Sequence, residues 1–196
     1  MKDKIWDKKV WDKIAKEYIN KRYYGKGLFK NERKVLLSLI PKNSSVLDIG
    51  CGTGRHVRFF KTHKINAVGL DSSIEMIKLA RSLTRDQYII GDAHHLPFKD
   101  GSFDFATCLG NTIGSLKFEQ SIREMLRVAR VWIIIEFREG NGIEKRYIGE
   151  KSYYVKTWRK DEVKKLLKDL KINFKMIGGE KLQSTSFFYA VVRHNT

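Results

Sequence analysis

Val46-Leu47-Asp48-Ile49-Gly50-Cys51-Gly52-Thr53-Gly54 is an apolar run that ends in three glycines spaced by single residues. The run is the length of a short strand, and Arg55–Thr62 reads as a helix behind it. Glycines in between permit a tight turn and let a ligand approach the backbone. Asp71 stands 21 residues beyond Gly50 and closes a second apolar strand, Asn66–Leu70. A carboxylate at that spacing can accept hydrogen bonds from ribose hydroxyls. The ligand is therefore nucleoside-like, yet the pattern departs from a pyrophosphate site. Such sites want Gly-x-Gly-x-x-Gly at a helix N-terminus; here the third glycine comes one residue early and Arg55 takes its place. Asp48, two residues before the first glycine, would repel a pyrophosphate and suits a ligand with positive charge nearby.

Outward from this turn the chain alternates strand and helix. Ser72–Arg85 reads as a helix opening on a Ser72-x-x-Glu75 capping box. Tyr88–Ile90 is a third strand, Phe103–Leu109 a fourth, Phe118–Ala129 a helix and Val131–Phe137 a wholly apolar fifth strand. Continuous apolar runs belong to strands covered on both faces, and strand–helix alternation predicts a parallel, doubly wound sheet. Arg159–Leu170 reads as a helix, and Asn173–Ile177 and Ser186–Arg193 as a closing strand pair. The expected fold class is α/β: a Rossmann-like doubly wound sheet of seven strands, mostly parallel with an antiparallel last strand, in a single domain over 1–196. Residues 1–40 form its N-terminal helical cap. Ile5, Trp6, Val10, Trp11, Ile14, Ala15 and Tyr18 recur there at helical spacing, and Asn31 reads as the cap of a second helix stopped by Pro41. Residues 45–137 are the cofactor-binding core, 138–158 a substrate-side insert, and 159–196 a C-terminal helix and strand hairpin.

The 196 residues, 42% of them hydrophobic, suffice to bury one core. Two cysteines, Cys51 and Cys108, are too few for a disulfide scaffold or a zinc cluster. No apolar run reaches membrane length and the N-terminus lacks a secretory core, so a cytoplasmic protein without membrane attachment is expected. Lys+Arg number 39 against 22 Asp+Glu, a net charge of +17. Such a surface attracts polyanions, nucleic acid first; a heat-adapted organism's lysine-rich bias produces the same balance without RNA binding.

At four places the chain resembles the class I S-adenosylmethionine-dependent methyltransferases with a type 11/25-like domain. Val46 to Gly54 is similar to their first motif and Val68-Gly69-Leu70-Asp71-Ser72-Ser73 to their second. Ile90-Gly91-Asp92-Ala93, followed by Leu96-Pro97-Phe98, resembles the third, and Gly101-Ser102-Phe103-Asp104 leads into the fourth strand as in that family. S-adenosylmethionine carries an ammonium and a sulfonium and no phosphate, which agrees with Asp48. The resemblance implies that Gly50, Cys51 and Gly52 pass under the methionine, with Asp48 near its ammonium. It implies Asp71 on the ribose hydroxyls with Ser72 beside it, Asp92 on the adenine amino group, the Ala93 N–H on a ring nitrogen, and Leu109 backbone at the methionine end. S-adenosylhomocysteine would be the product, and no metal is implied. One departure concerns strand five, which in the family follows a Pro-Gly-Gly turn. Here Arg127-Val128-Ala129-Arg130-Val131-Trp132 runs straight into it, which predicts a tighter turn.

Methyl transfer is an in-line displacement in which the enzyme chiefly places the nucleophile and excludes water. No triad or metal spacing is present, and no catalytic residue is assigned. Leu109-Gly110-Asn111-Thr112-Ile113-Gly114, after strand four, lacks the Asn/Asp-Pro-Pro-aromatic run of amino-DNA methylases and is similar to small-molecule N-methyltransferases of the glycine-methylating type. Asn111 either contacts cofactor or substrate through its amide or shapes a turn. His94 and His95 read as loop residues. The acceptor wall is expected from the cap, through Tyr18, Arg22, Tyr23 and Tyr24, and from the insert, through Arg146, Tyr147, Tyr153, Tyr154 and Trp158; Tyr18, Arg22 and Tyr153 are the substrate candidates. The function expected is methyl transfer to a small molecule. RNA, chiefly tRNA, is the alternative acceptor, suggested by the charge. A non-catalytic partner with this fold is a third reading, and Asp48 with the glycine spacing disfavours a nucleotide-dependent oxidoreductase.

Overall fold

The computed structural model describes residues 9–18, 27–182 and 185–193; Ile5, Trp6, Arg22, Tyr23 and Tyr24 of the expected cap lie outside them. Two helices, α1 (Lys9–Tyr18) and α2 (Lys30–Leu39), precede the alternating core. The core runs β1 (Ser45–Ile49), α3 (Arg55–Thr62), β2 (Asn66–Asp71), α4 (Ile74–Leu83), β3 (Gln87–Ile90), β4 (Phe103–Cys108), α5 (Phe118–Val128) and β5 (Ala129–Arg138). A hairpin of β6 (Gly142–Ile148) and β7 (Lys151–Thr157) follows, then α6 (Lys160–Asp169), β8 (Asn173–Leu182) and β9 (Thr185–Arg193).

Seven strands form one sheet in the order β3-β2-β1-β4-β5-β9-β8. The first five are parallel, β9 runs antiparallel to β5, and β8 antiparallel to β9. This is the expected Rossmann-like sheet; its last strand in sequence is inserted one place from the edge. The apolar run of β5 is explained by layers on both faces. Ile133, Ile135 and Phe137 pack with Ile122 and Met125 of α5 and with Val163 and Leu167 of α6. Ile134, between them, faces Leu36 of α2 and Val57 and Phe60 of α3. Each such side chain contributes about 1.5–3 kcal/mol by leaving water.

Local chemistry corrects some boundaries. Ser73, not Ser72, caps α4, its hydroxyl accepting from the Met76 N–H at 3.1 Å; adjacent serines leave the sequence ambiguous by one residue. Helix α2 starts at Lys30, before Asn31, because Glu32 reaches back to take the Phe29 N–H at 3.0 Å. The tight turn before strand five is real: α5 ends at Val128 and β5 begins at Ala129 with no residue between. The insert is a separate two-stranded sheet. Among the described residues no helix is long and apolar enough to cross a membrane.

Strand order reverses between β1 and β4, which leaves a crevice at the carboxyl ends of the parallel strands.

Candidate active site

The glycine turn occupies that crevice. Gly50 and Gly54 have φ of 68° and 81°, in the left-handed region. A Cβ on Gly50 would collide with the Thr112 side chain, and one on Gly54 with the Tyr88 ring. By contrast, a Cβ on Gly52 or Gly110 would meet nothing within 4 Å; the backbone there is open. Gly50 and Cys51 donate their N–H groups to the Leu70 carbonyl at 2.7 and 3.0 Å, which ties the turn to the end of β2.

Asp71 completes that tie. Its Oδ2 accepts from the Gly52 N–H at 2.8 Å and its Oδ1 from the Ser73 N–H at 2.9 Å. Burial raises its pKa, against the pull of these two bonds. The cap helix is anchored at the same place. Asp12 of α1 accepts from the Ser73 hydroxyl at 2.6 Å and from the Glu75 N–H at 3.1 Å, so one element caps another beside Asp71.

At the end of β3, Asp92 Oδ1 accepts from the His94 N–H at 3.0 Å and lies 2.7 Å from His94 Nδ1. The Lys117 N–H donates to His94 Nε2 at 3.0 Å. That bond assigns the ring proton to Nδ1, whence it is donated to Asp92. His94 thus braces the β3–β4 loop against the start of α5.

Asn111 also has left-handed backbone, with φ of 60°. Its Nδ2 donates to the Lys156 carbonyl and its Oδ1 accepts from the Arg138 N–H, both at 3.0 Å. Both ends of the amide strap the β4 turn to β5 and to the hairpin. The turn-shaping alternative is the one this geometry favours.

These strand ends line one open cleft. Gly50, Cys51, Gly52, Asp71, Ser72, Asp92, Ala93, Leu109 and Asn111 border it, and so do Tyr18 and Tyr153. Arg22 lies outside the described residues. Asp48 is not on the wall. It is 1% exposed beneath the turn, its Oδ1 accepting from the Thr107 hydroxyl at 2.9 Å. The sequence reading expected it beside a ligand's ammonium; the structure places its carboxylate under the glycine turn, off the cleft surface.

Residues 46–131 match the family described as a methyltransferase domain. Over these residues the chain carries a methyltransferase domain similar to that of the class I S-adenosylmethionine-dependent family. An uncharacterised protein of Methanocaldococcus jannaschii is 33% identical over 172 residues, covering 83% of this chain and 64% of its own. A demethylmenaquinone methyltransferase of Thermotoga maritima is 36% identical over 134 residues, covering 65% of this chain and 58% of its own. The chain thus spans about three fifths of these relatives' length. The solved structure of an S-adenosylmethionine-dependent methyltransferase from Thermotoga maritima, a possible histamine N-methyltransferase, superposes with a TM-score of 0.72 at 21% identity, covering 97% of this chain and all of that one.

Beyond the motifs, the chain carries a group of acids that its sequence did not single out. Glu32 of α2 is 1% exposed, held by Arg55 at 2.9 Å and by His56 Nε2 at 2.7 Å. Burial alone would raise its carboxyl, but the hydrogen bond and charge of His56 and the charge of Arg55 outweigh it and bring the pKa to about 2. His56 Nδ1 lies 3.8 Å from Asp48 Oδ2, an oxygen with no hydrogen-bond partner among the described residues. Burial raises the Asp48 pKa, opposed first by His56. Glu136, near the end of β5, is 5% exposed and borders the cleft. The Tyr189 hydroxyl donates to its Oε1 at 2.7 Å and the Gly110 N–H to its Oε2 at 2.6 Å. A signal for it was present, because an acid inside Ile133-Ile134-Ile135-Glu136-Phe137 must either be paired or serve a ligand. Glu32 carried none; an acid early in an amphipathic helix is ordinary.

Proposed function

We propose that this protein transfers a methyl group from S-adenosylmethionine to a small-molecule acceptor. What carries the reading is the single cleft that joins the ends of β1 to β4 to the aromatic cap and hairpin. The donor set suits adenosine followed by a cation. Asp71 and Asp92 sit at adjacent strand ends, Gly52 and Gly110 leave backbone open, and below lies an Asp48 oxygen that accepts no hydrogen bond among the described residues. When bound, S-adenosylmethionine supplies an electron-poor methyl carbon and a neutral thioether leaving group.

The chain's residues then divide the work. Asp71 accepts from the ribose hydroxyls through the lone pairs that Gly52 and Ser73 leave, with Ser72 beside it. Asp92, braced by His94, accepts from the adenine amino group, and the Ala93 N–H meets a ring nitrogen. Gly50, Cys51 and Gly52 run beneath the methionine, and Leu109 offers backbone at its far end. Asp48 stabilises positive charge through the low-dielectric floor. Tyr18 and Tyr153 exclude water on the acceptor side. Residues 1–196 act as one unit in this reading, with cap and hairpin choosing the acceptor.

Calorimetry with S-adenosylmethionine tests the first half. Binding at or below about 100 µM, within the range of enzyme KM values, is expected, and none at millimolar levels would refute it. Labelled methyl transfer to a metabolite pool, bulk tRNA and protein tests the second. Label in the metabolite pool supports the reading, whereas salt-sensitive labelling of tRNA would replace it with the RNA alternative suggested by the charge of +17.

A further inference from the structure

The cofactor reading assigns the ends of β1, β2, β3 and β4, and leaves one parallel strand end unclaimed, that of β5. Glu136 lies there. On a protein of net charge +17, the cleft itself is acidic: Glu32, Asp71, Asp92 and Glu136 border it, against the guanidiniums of Arg55 and Arg138. Arg55 is committed to Glu32, and Arg138 lies over the Phe187 ring at 5.0 Å. Asp71 and Asp92 belong to the adenosine. Glu136 alone of the four has neither an assigned ligand nor, among the described residues, a cationic hydrogen-bond partner: its donors, Tyr189 and the Gly110 N–H, are neutral, and His56 acts on it only through space.

A buried carboxylate held only by neutral donors is short of compensation, which a cation would supply. The same cleft carries Trp11, Tyr18 and Tyr153, with Trp11 centred 5.1 Å from Tyr153 and 6.5 Å from Tyr18. Aromatic faces attract ammonium groups, more strongly where water is excluded.

Resting on the methyltransferase reading above, we propose that the acceptor is an amine that enters as its ammonium, and that Glu136 receives it and takes its proton. The N–H bond breaks and the proton goes to the Glu136 carboxylate. The freed nitrogen lone pair forms the N–C bond to the methyl carbon as the C–S bond breaks, its electron pair remaining on sulfur. The products are an N-methylated ammonium and S-adenosylhomocysteine, and Glu136 returns its proton to solvent. Burial raises the pKa of Glu136, as suits a carboxylate that must hold a proton between transfer and release.

The test uses tyramine, phenethylamine, agmatine and glycine, with the corresponding alcohols, in labelled transfer from S-adenosylmethionine. Amine binding to the S-adenosylhomocysteine-loaded protein is measured in parallel by calorimetry. At least one amine is expected to be bound and labelled and no alcohol to be. Glu136→Gln should hold S-adenosylhomocysteine within about threefold of wild type. It should lose about 100-fold or more in kcat/KM, bind the amine more weakly and lose the acidic limb of the pH–rate profile. If that variant does not fold, Glu136→Asp, which keeps the charge but withdraws it, should show the same losses in weaker form. Preferential labelling of alcohols, no amine bound by the loaded protein, or full turnover by the folded variant would each overturn the proposal. Failure of wild type to bind S-adenosylmethionine strikes the methyltransferase reading instead; binding it while ignoring every amine strikes only the role of Glu136.

Discussion

Replacing Asn111 with alanine removes both straps at the β4 turn. The Arg138 N–H and the Lys156 carbonyl lose partners 3.0 Å away, and an unsatisfied buried group costs about 1–3 kcal/mol. Alanine must also hold the φ of 60° that asparagine tolerates, at about 1 kcal/mol. Together these give roughly 3–7 kcal/mol, or a fall in Tm of about 6–28 °C for a domain of this size. Asn111→Gly loses the same two bonds but not the backbone cost, so it should be about 1 kcal/mol more stable than Asn111→Ala. Urea unfolding of the three proteins reads these differences, and titration with S-adenosylmethionine reads function. Because the amide is spent within the fold, the folded glycine variant should bind the cofactor within about threefold of wild type, or less than 1 kcal/mol. An alanine variant within about 0.5 kcal/mol of wild type, the range of an ordinary surface substitution, would refute the strap. A stable glycine variant that no longer binds would make the amide a ligand group instead.

Other outcomes follow from the same geometry. Asp71→Ala should weaken S-adenosylmethionine about 100-fold or more by calorimetry, since hydrogen bonds to a charged group contribute about 1.5–3 kcal/mol each. Glu32 has its folded pKa lowered to about 2 from 4.5. Its contribution is therefore present above pH 4.5 and lost as pH falls toward 2. Wild type should exceed Glu32→Gln in stability by up to about 3 kcal/mol at neutral pH, with the gap closing in acid urea titrations. Burial raises the thiol pKa of both Cys51 and Cys108, so neither should react with iodoacetamide at pH 8 until the protein unfolds, as mass spectrometry would show. Asp12→Ala removes the cap that α1 gives α4 and should cost about 1 kcal/mol, a drop of some 2–4 °C in Tm.

The core was legible because its strands are buried on both faces and its turns carry fixed chemistry. Val46–Ile49, the glycines and Asp71 specify a strand, a turn and a strand end within 26 residues, and the structure places all three together. The hairpin was harder to read. Tyr153, Val155 and Thr157 are buried while Lys151 is exposed and Ser152, Tyr154 and Lys156 are half-buried, a true alternation, but one that shows only once the facing elements are known. Asp48 was singled out by its charge, and the structure places it beneath the turn and off the cleft wall; a side chain's sign is written in the sequence and its direction is not. The bonds of Asn111 reach 27 and 45 residues along the chain, and no local pattern announces partners so distant.

The β6–β7 hairpin makes no ladder with the seven-stranded sheet. One side of it, through Tyr153 and Val155, is cleft wall, while Tyr147 stands 62% exposed on β6. Its residues can therefore be exchanged, lengthened or shortened beyond the Arg138–Trp158 neck without shifting the register of any core strand. On the proposed function, the strand ends hold the methyl donor while the hairpin is free to be reshaped around a different acceptor.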